Sequence, residues 1–186
     1  MEYSDYESFV YDVTSESSRD TGALLKTLHN HVYMNNDDYV PHLLTAALGL
    51  SGELGEIIEQ EIMVEHDEQK MKAELGDFLW YITQGLFGLD WTFQEMLDNI
   101  QNDDKVINEP LSVAVARFAD NVKKVTFHGK TLNDKHKPMR DALKRVYIEF
   151  DRQYLQRYDI DLVELMVSNQ AKLEARHPTG NFNGNY

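Results

Sequence analysis

Two almost identical tetrapeptides, Glu53-Leu54-Gly55-Glu56 and Glu74-Leu75-Gly76-Asp77, concentrate four carboxylates in a stretch that otherwise reads as helix core. Each is followed by two apolar residues, Ile57-Ile58 and Phe78-Leu79. Acids three residues apart share one helix face, with about 5–6 Å between their Cβ atoms. Like charges held that close repel, so keeping them requires a compensating gain. A hard divalent cation with oxygen ligands supplies one. Mg2+ retains waters and recruits substrate phosphates, so an ExxE facing an ExxD on an antiparallel neighbour implies phosphoryl chemistry. One isolated ExxE is ordinary and reads as a solvated helix edge. Two copies, each bordering the apolar stripe of one of two successive helices, carry a specific signal.

The elements that must position these acids are helices. From Leu43 to Ile62 the apolar residues recur with helical period, and Leu50, Leu54, Ile57 and Ile58 form one stripe with Glu53 and Glu56 on its border. A second helix, about 69–89, repeats the pattern: Leu75, Phe78, Leu79 and Ile82 form the stripe, Glu74 and Asp77 its edge, and Tyr81 lies between the acids. Gly55 and Gly76 fall on the back, where a missing Cβ lets another helix approach. A short helix near Thr92–Asn99 precedes a polar break, Gln101-Asn102-Asp103-Asp104. Long helices follow at about 111–127 and 137–158, with Pro110 and Pro138 as helix starts, then a last helix at 162–175 and a Gly/Asn-rich tail. β-branched alternation is absent, so the chain is all-α.

An internal repeat underlies this order. Residues 40–100 run long helix, loop, long helix, short helix, and residues 110–172 run the same way. Glu95-Met96-Leu97-Asp98-Asn99 and Glu164-Leu165-Met166-Val167-Ser168-Asn169 occupy corresponding places. The expected organisation is a module over 1–104, with N-terminal helices and the acids, and a degenerate second module over 105–186, joined at 101–109. Arg117 and Asp120 are expected where Glu53 and Glu56 would align, and no ExxD follows them.

Composition limits the partners. The 186 residues carry 32 acids against 18 Lys and Arg, a formal charge of −14. Such a surface is repelled by nucleic-acid backbones and anionic membranes, which argues against polymeric DNA or RNA. A small phosphate compound is compatible, because a metal and a few cations reverse the field within one pocket. No cysteine is present, which removes disulfide and thiolate chemistry. The polar, acidic start and the lack of an apolar run near roughly 20 residues predict a cytoplasmic protein without a membrane span.

Leu48-Gly49-Leu50-Ser51-Gly52-Glu53-Leu54-Gly55-Glu56, followed by Glu74-Leu75-Gly76-Asp77-Phe78-Leu79-Trp80-Tyr81, resembles the MazG-like all-α nucleoside triphosphate pyrophosphohydrolases, a superfamily that includes dimeric dUTPases and dCTP pyrophosphatases. The resemblance, spanning 40–100, implies a helical bundle that binds Mg2+ (or Mn2+) through Glu53, Glu56, Glu74 and Asp77 and lines the nucleotide pocket with Tyr81. It also implies cleavage between the α- and β-phosphates. The second module has the basic stretch of short phage and bacterial members, as Lys123-Lys124-Val125-Thr126-Phe127-His128-Gly129-Lys130. It has their ending too, as Asn169-Gln170-Ala171-Lys172-Leu173-Glu174-Ala175-Arg176-His177-Pro178-Thr179-Gly180. In the first module Ile62-Met63-Val64-Glu65-His66 stands where the basic stretch would be. The halves thus resemble a fused pseudo-dimer, one keeping the metal ligands and the other the cations. The family's habit implies homodimers and a cytoplasmic site of action, the host's cytoplasm for a phage member.

A triphosphate carries about four negative charges, and Lys123, Lys124, Lys130, Lys172 and Arg176 are the candidates to balance them. His128 is a candidate donor to phosphate, and Asn169 to base or sugar, with Asn99 its counterpart. Trp80 and Trp91 read as core, and His29, His31 and Tyr33 are candidates to cover the base pocket, although their spacing specifies nothing. The expected chemistry is in-line attack of water at the α-phosphorus, with Glu53 or Glu56 accepting the proton. One rival is a nucleotide or alarmone sensor that does not hydrolyse its ligand. A di-iron carboxylate bundle is the weaker rival, since it needs Glu-x-x-His pairs and neither acid pair has one.

Overall fold

A computed structural model describes residues 3–35, 39–63, 67–101 and 108–178, with the side chains of Tyr3 and of 31–35 outside the description. Val64–His66, most of the 101–109 join, the side chains of His31 and Tyr33 and the tail from Thr179 onward therefore lie outside the described residues. Every regular element among the described residues is helical. The helices are α1 (Tyr3–Val13), α2 (Glu16–Arg19), α3 (Thr21–Asn35), α4 (Val40–Ile62), α5 (Glu68–Phe87), α6 (Phe93–Gln101), α7 (Leu111–Phe127), α8 (Leu132–Phe150) and α9 (Leu162–Arg176). A π-helical turn, Asp151–Leu155, extends α8. No described helix is long and apolar enough to cross a membrane.

Two hairpins, α4–α5 and α7–α8, pack against each other through α4 on α7 and α5 on α8. Phe78 and Phe150 stack across the α5–α8 seam with ring centroids 5.0 Å apart. Local chemistry sets the helix starts. Asp67 accepts from the N–H groups of Gln69 and Lys70 at the head of α5, and Thr92 and Glu95 cap α6 reciprocally. Pro110 precedes α7 as expected. Pro138 does not start a helix: α8 begins earlier, at Leu132, where the Thr131 hydroxyl accepts from the Asp134 N–H. The helix runs through Pro138, which forgoes one backbone hydrogen bond inside it.

The buried positions of the two hairpins recur at one constant offset. Leu43, Ala46, Ala47, Leu50, Leu54 and Ile57 of α4 match Leu111, Ala114, Val115, Phe118, Val122 and Val125 of α7. On α5, Met71, Leu75, Phe78, Leu79 and Ile82 match Met139, Leu143, Val146, Tyr147 and Phe150 of α8 by the same offset. Beyond Phe150 the offset grows by one residue, as expected where a π turn inserts one into a helix. Leu86 then matches Leu155, and Met96 matches Leu165. Asp90 and Asp159, at that longer offset, are the two non-glycine residues with positive φ among the described residues, 44° and 51°. The residue after each closes the same turn: the Trp91 N–H bonds the Leu86 carbonyl, and the Ile160 N–H bonds the Leu155 carbonyl.

This register revises the expected alignment by four residues, about one helical turn. Asn121 and Lys124, rather than Arg117 and Asp120, occupy the α7 positions of Glu53 and Glu56. The short helices cross over: α6 packs on α8, and α9 packs on α5. Lys144 of α8 donates to Asn99 of α6, while Asn169 of α9 donates to Asp77 of α5.

Candidate functional site

Burial of Leu50, Leu54 and Ile57 on α4, and of Leu75, Phe78 and Leu79 on α5, rotates both acid pairs toward the seam between these helices. One carboxylate oxygen each from Glu53, Glu56 and Glu74 lies within 4.8 Å of the others. Desolvation raises the Glu53 pKa from 4.5 to about 7, with further upward pushes from Asp77, Glu56 and Glu74 against a smaller opposing effect of Lys172. Glu74 is also raised, by burial first and then by Glu56 and Asp77. The donors are hard oxygens with no nitrogen or sulfur among them, the set that suits Mg2+ or Mn2+. Excess negative charge in a half-desolvated seam is the condition that a divalent cation relieves.

Asp77 is placed differently from the other three acids. It borders the cluster, as its effect on Glu53 and Glu74 records, but its oxygens are engaged by α9. Asn169 Nδ2 donates to Oδ1 at 2.9 Å, and Lys172 Nζ forms a short ion pair with Oδ2 while also reaching the Ala73 carbonyl at 3.3 Å. Gly76 permits this approach, because a Cβ there would lie 3.1 Å from the Asn169 side chain. Gly55 behaves otherwise than expected: a Cβ on it would meet nothing within 4 Å, since no described helix covers the outer face of α4 there.

Tyr81 joins the acids as expected. Burial first, then Glu53, Asp77 and Glu56, push its hydroxyl pKa up. Its ring lies over Gly49, where an added Cβ would fall 2.1 Å from the ring carbons. Gly49→Ala must therefore displace Tyr81. Should the acids hold a cation and turn over a substrate that Tyr81 positions, kcat/KM would fall by up to about a hundredfold while cation binding persists, because misplacing a positioning group by about 1 Å is costly. Turnover and cation titration of this variant give the two readouts; unchanged turnover removes Tyr81 from the site.

The remaining expected residues lie elsewhere. Lys123 and Lys124 pair with Asp120 on their own helix, and neither is among the charges acting on Glu53 or Glu74. His128 and Gly129 end α7: the Lys130 N–H reaches back to the Lys124 carbonyl across Gly129, whose φ is 64°. That gives the Phe-His-Gly stretch a helix-stop role. Arg176 is exposed at the end of α9, and His29 is exposed on α3, which packs on α7. Trp91 is partly buried beneath the Arg140 guanidinium, 4.9 Å away.

Trp80 is a correction to the expectation of a core residue. It is 37% exposed and lines, with Thr83, Met166 and Asn169, a cleft of about 250 Å³ between α5 and α9. Nothing in the spacing of α5 alone reveals this, because α9 forms the other wall. No family model, curated protein or solved structure matches the chain.

The raised Glu53 value has a consequence for stability. The folded state holds that proton more tightly than the unfolded chain, where the value is 4.5. Its contribution therefore favours folding at low pH and is lost as pH rises through about 7. In chelator the melting temperature of Glu53→Gln should match wild type at about pH 5 and exceed it at about pH 8. A difference that does not change with pH would contradict the crowding of charge at Glu53.

Proposed function

We propose that the chain is a Mg2+-dependent nucleoside triphosphate pyrophosphohydrolase of the MazG-like kind, converting a (d)NTP to the monophosphate and pyrophosphate. The observation that carries this reading is the convergence of Glu53, Glu56 and Glu74 to within 4.8 Å. Their neighbour Asp77, held by Asn169 and Lys172 of the other half, completes the set of acids. A divalent cation there supplies charge neutralisation to the phosphates and lowers the pKa of water. Glu53 or Glu56 orients the attacking water and takes its proton as oxygen adds to the α-phosphorus. The bridging bond to the β-phosphate breaks, and pyrophosphate leaves with its charge balanced partly by Lys172. Tyr81 holds the nucleotide, and Trp80, beside Asn169, offers an aromatic face to its base.

The two halves form a pseudo-dimer in this reading. The constant offset of buried positions, the paired turns at Asp90 and Asp159, and the crossed packing of α6 and α9 support it. Further association into a homodimer has Ile58, Ile62 and Met63, exposed at the end of α4, as its candidate surface. The enzyme would act on a cytoplasmic nucleotide pool.

A second reading, a nucleotide sensor without turnover, is favoured by one observation. The Lys172–Asp77 pair occupies a carboxylate that hydrolysis needs at the cation. Pyrophosphate release from a panel of dNTPs and NTPs, in Mg2+ and in chelator, separates the two. Release in Mg2+ alone supports the enzyme, whereas saturable binding without release supports the sensor.

A further inference from the structure

The register between the hairpins locates a second place of interest, on α7 and α8. At the offset that matches their cores, Glu53, Glu56, Glu74 and Asp77 correspond to Asn121, Lys124, Ala142 and Arg145. All four acids are gone, and two of the replacements are cations. The corresponding seam is not filled in: a cleft of about 660 Å³ opens there. Arg117, Arg145, Ser112 and Asn121 line it together with Asp120 and Asp141.

The acids of this cleft are already neutralised. Asp120 is paired by both Lys123 and Lys124, and Asp141 by Lys137 at 2.7 Å. Arg117 shares its charge with Glu109 at 3.0 Å, and Arg145 lies 3.9 Å from Glu149, whose closer partner is Arg152. Arg117 and Arg145 are the cations of the lining, and Lys123, Lys124 and Lys137 neutralise its two aspartates, Asp120 and Asp141, from outside it. Guanidinium groups favour phosphate oxygens through paired N–H donors. The rest of the lining, Val113, Ala114, Ala116, Pro138 and Ala142, contains no aromatic face on which a base could stack.

We propose that the α7–α8 cleft is a cation-independent binding site for a small polyphosphate, recognised by its diphosphate group rather than by a base. Duplication followed by charge reversal turned the position of one acid cage into an anion site. Lys123 and Lys124 serve this site indirectly, by neutralising Asp120 of its lining. The inference rests on the repeat register and the cleft, and stands whether or not the acids on α4 and α5 support hydrolysis.

The test is calorimetric titration of the full chain with inorganic pyrophosphate in excess chelator, alongside a nucleoside monophosphate. Pyrophosphate should bind, and a rise in salt should weaken it. Arg117→Gln, at an exposed position, should weaken binding about tenfold, and Arg117→Gln with Lys124→Gln further, with circular dichroism unchanged. Glu56→Gln should bind as wild type does. The proposal is overturned by no binding in chelator, by binding that Glu56→Gln alters and Arg117→Gln does not, or by a monophosphate that binds as well as pyrophosphate.

Discussion

Glu56→Gln should lose turnover by at least two orders of magnitude while keeping its helical spectrum and melting no lower than wild type. Removal of a group one shell out from a metal already costs roughly 10–100-fold, and in the proposed site Glu56 is one of the ligands themselves. The fold does not depend on its charge, because Glu56 is exposed and the buried face of α4 is built from Leu50, Leu54 and Ile57. Its carboxylate raises the pKa of both Glu53 and Glu74, so neutralising it relieves repulsion in the absence of a cation. Asp77→Asn should lose turnover as well. That change also removes the charge that holds Lys172, so α9 should become more accessible to hydrogen exchange. Turnover near wild type in either variant sinks the assignment of the acids.

Glu149→Ala should destabilise the chain by about 3–5 kcal/mol, the range for removing one partner of a buried ion pair. Its side chain is wholly buried yet ionised. Desolvation pushes its pKa up but is outweighed by hydrogen bonds from Arg152, the Glu109 N–H and Gln153, leaving the value below the ordinary one. Gln153 in turn accepts from the Leu111 N–H and donates to the Glu109 carbonyl. This cluster substitutes for the side-chain cap that Pro110 cannot provide at the head of α7. Loss of Glu149 leaves Arg152 with the Glu109 carbonyl at 3.4 Å in place of its ion pair, and leaves the Glu109 N–H without its acceptor. For a chain of this size the melting temperature should drop by roughly 10 °C. A drop of only a degree or two would show that water replaces the carboxylate.

The helical period made most of the fold legible before any coordinates. Both acid-bearing helices and the order of the later ones follow from apolar spacing, because each buries one stripe. The cage of Glu53, Glu56 and Glu74 was legible for the same reason: the acids border stripes that must face a common core. Partners from distant sequence were harder. Only resemblance to a family ending points to Asn169 and Lys172, and their docking on Asp77 depends on how α9 crosses to α5. Gly76 and Gly55 have the same local sequence but different surroundings, since among the described helices one, α9, lies over Gly76 and none over Gly55.

The offset between the two hairpins is carried by buried residues and not by charged ones, which drift freely, so an alignment on Arg117 and Asp120 falls four residues away from it. Aligning Leu43 with Leu111 and Met71 with Met139 would have placed Asn121 and Lys124 correctly. The sequence also held a sharper marker, Leu89-Asp90-Trp91 against Tyr158-Asp159-Ile160, each ending a long helix. An aspartate tolerates positive φ better than most residues, so it serves at such a stop. The π turn at Asp151–Leu155 has no comparable sequence signal, and it is what lengthens the spacing by one residue.

Hydrolysis in 18O-labelled water, with Mg2+ and a (d)NTP that the protein turns over, tests the central claim most directly. Water attacking the α-phosphorus puts the label in the nucleoside monophosphate and leaves the pyrophosphate unlabelled, and Glu56→Gln gives neither product. Label in pyrophosphate, release of orthophosphate as the first product, or tight binding of every (d)NTP with no turnover would contradict it.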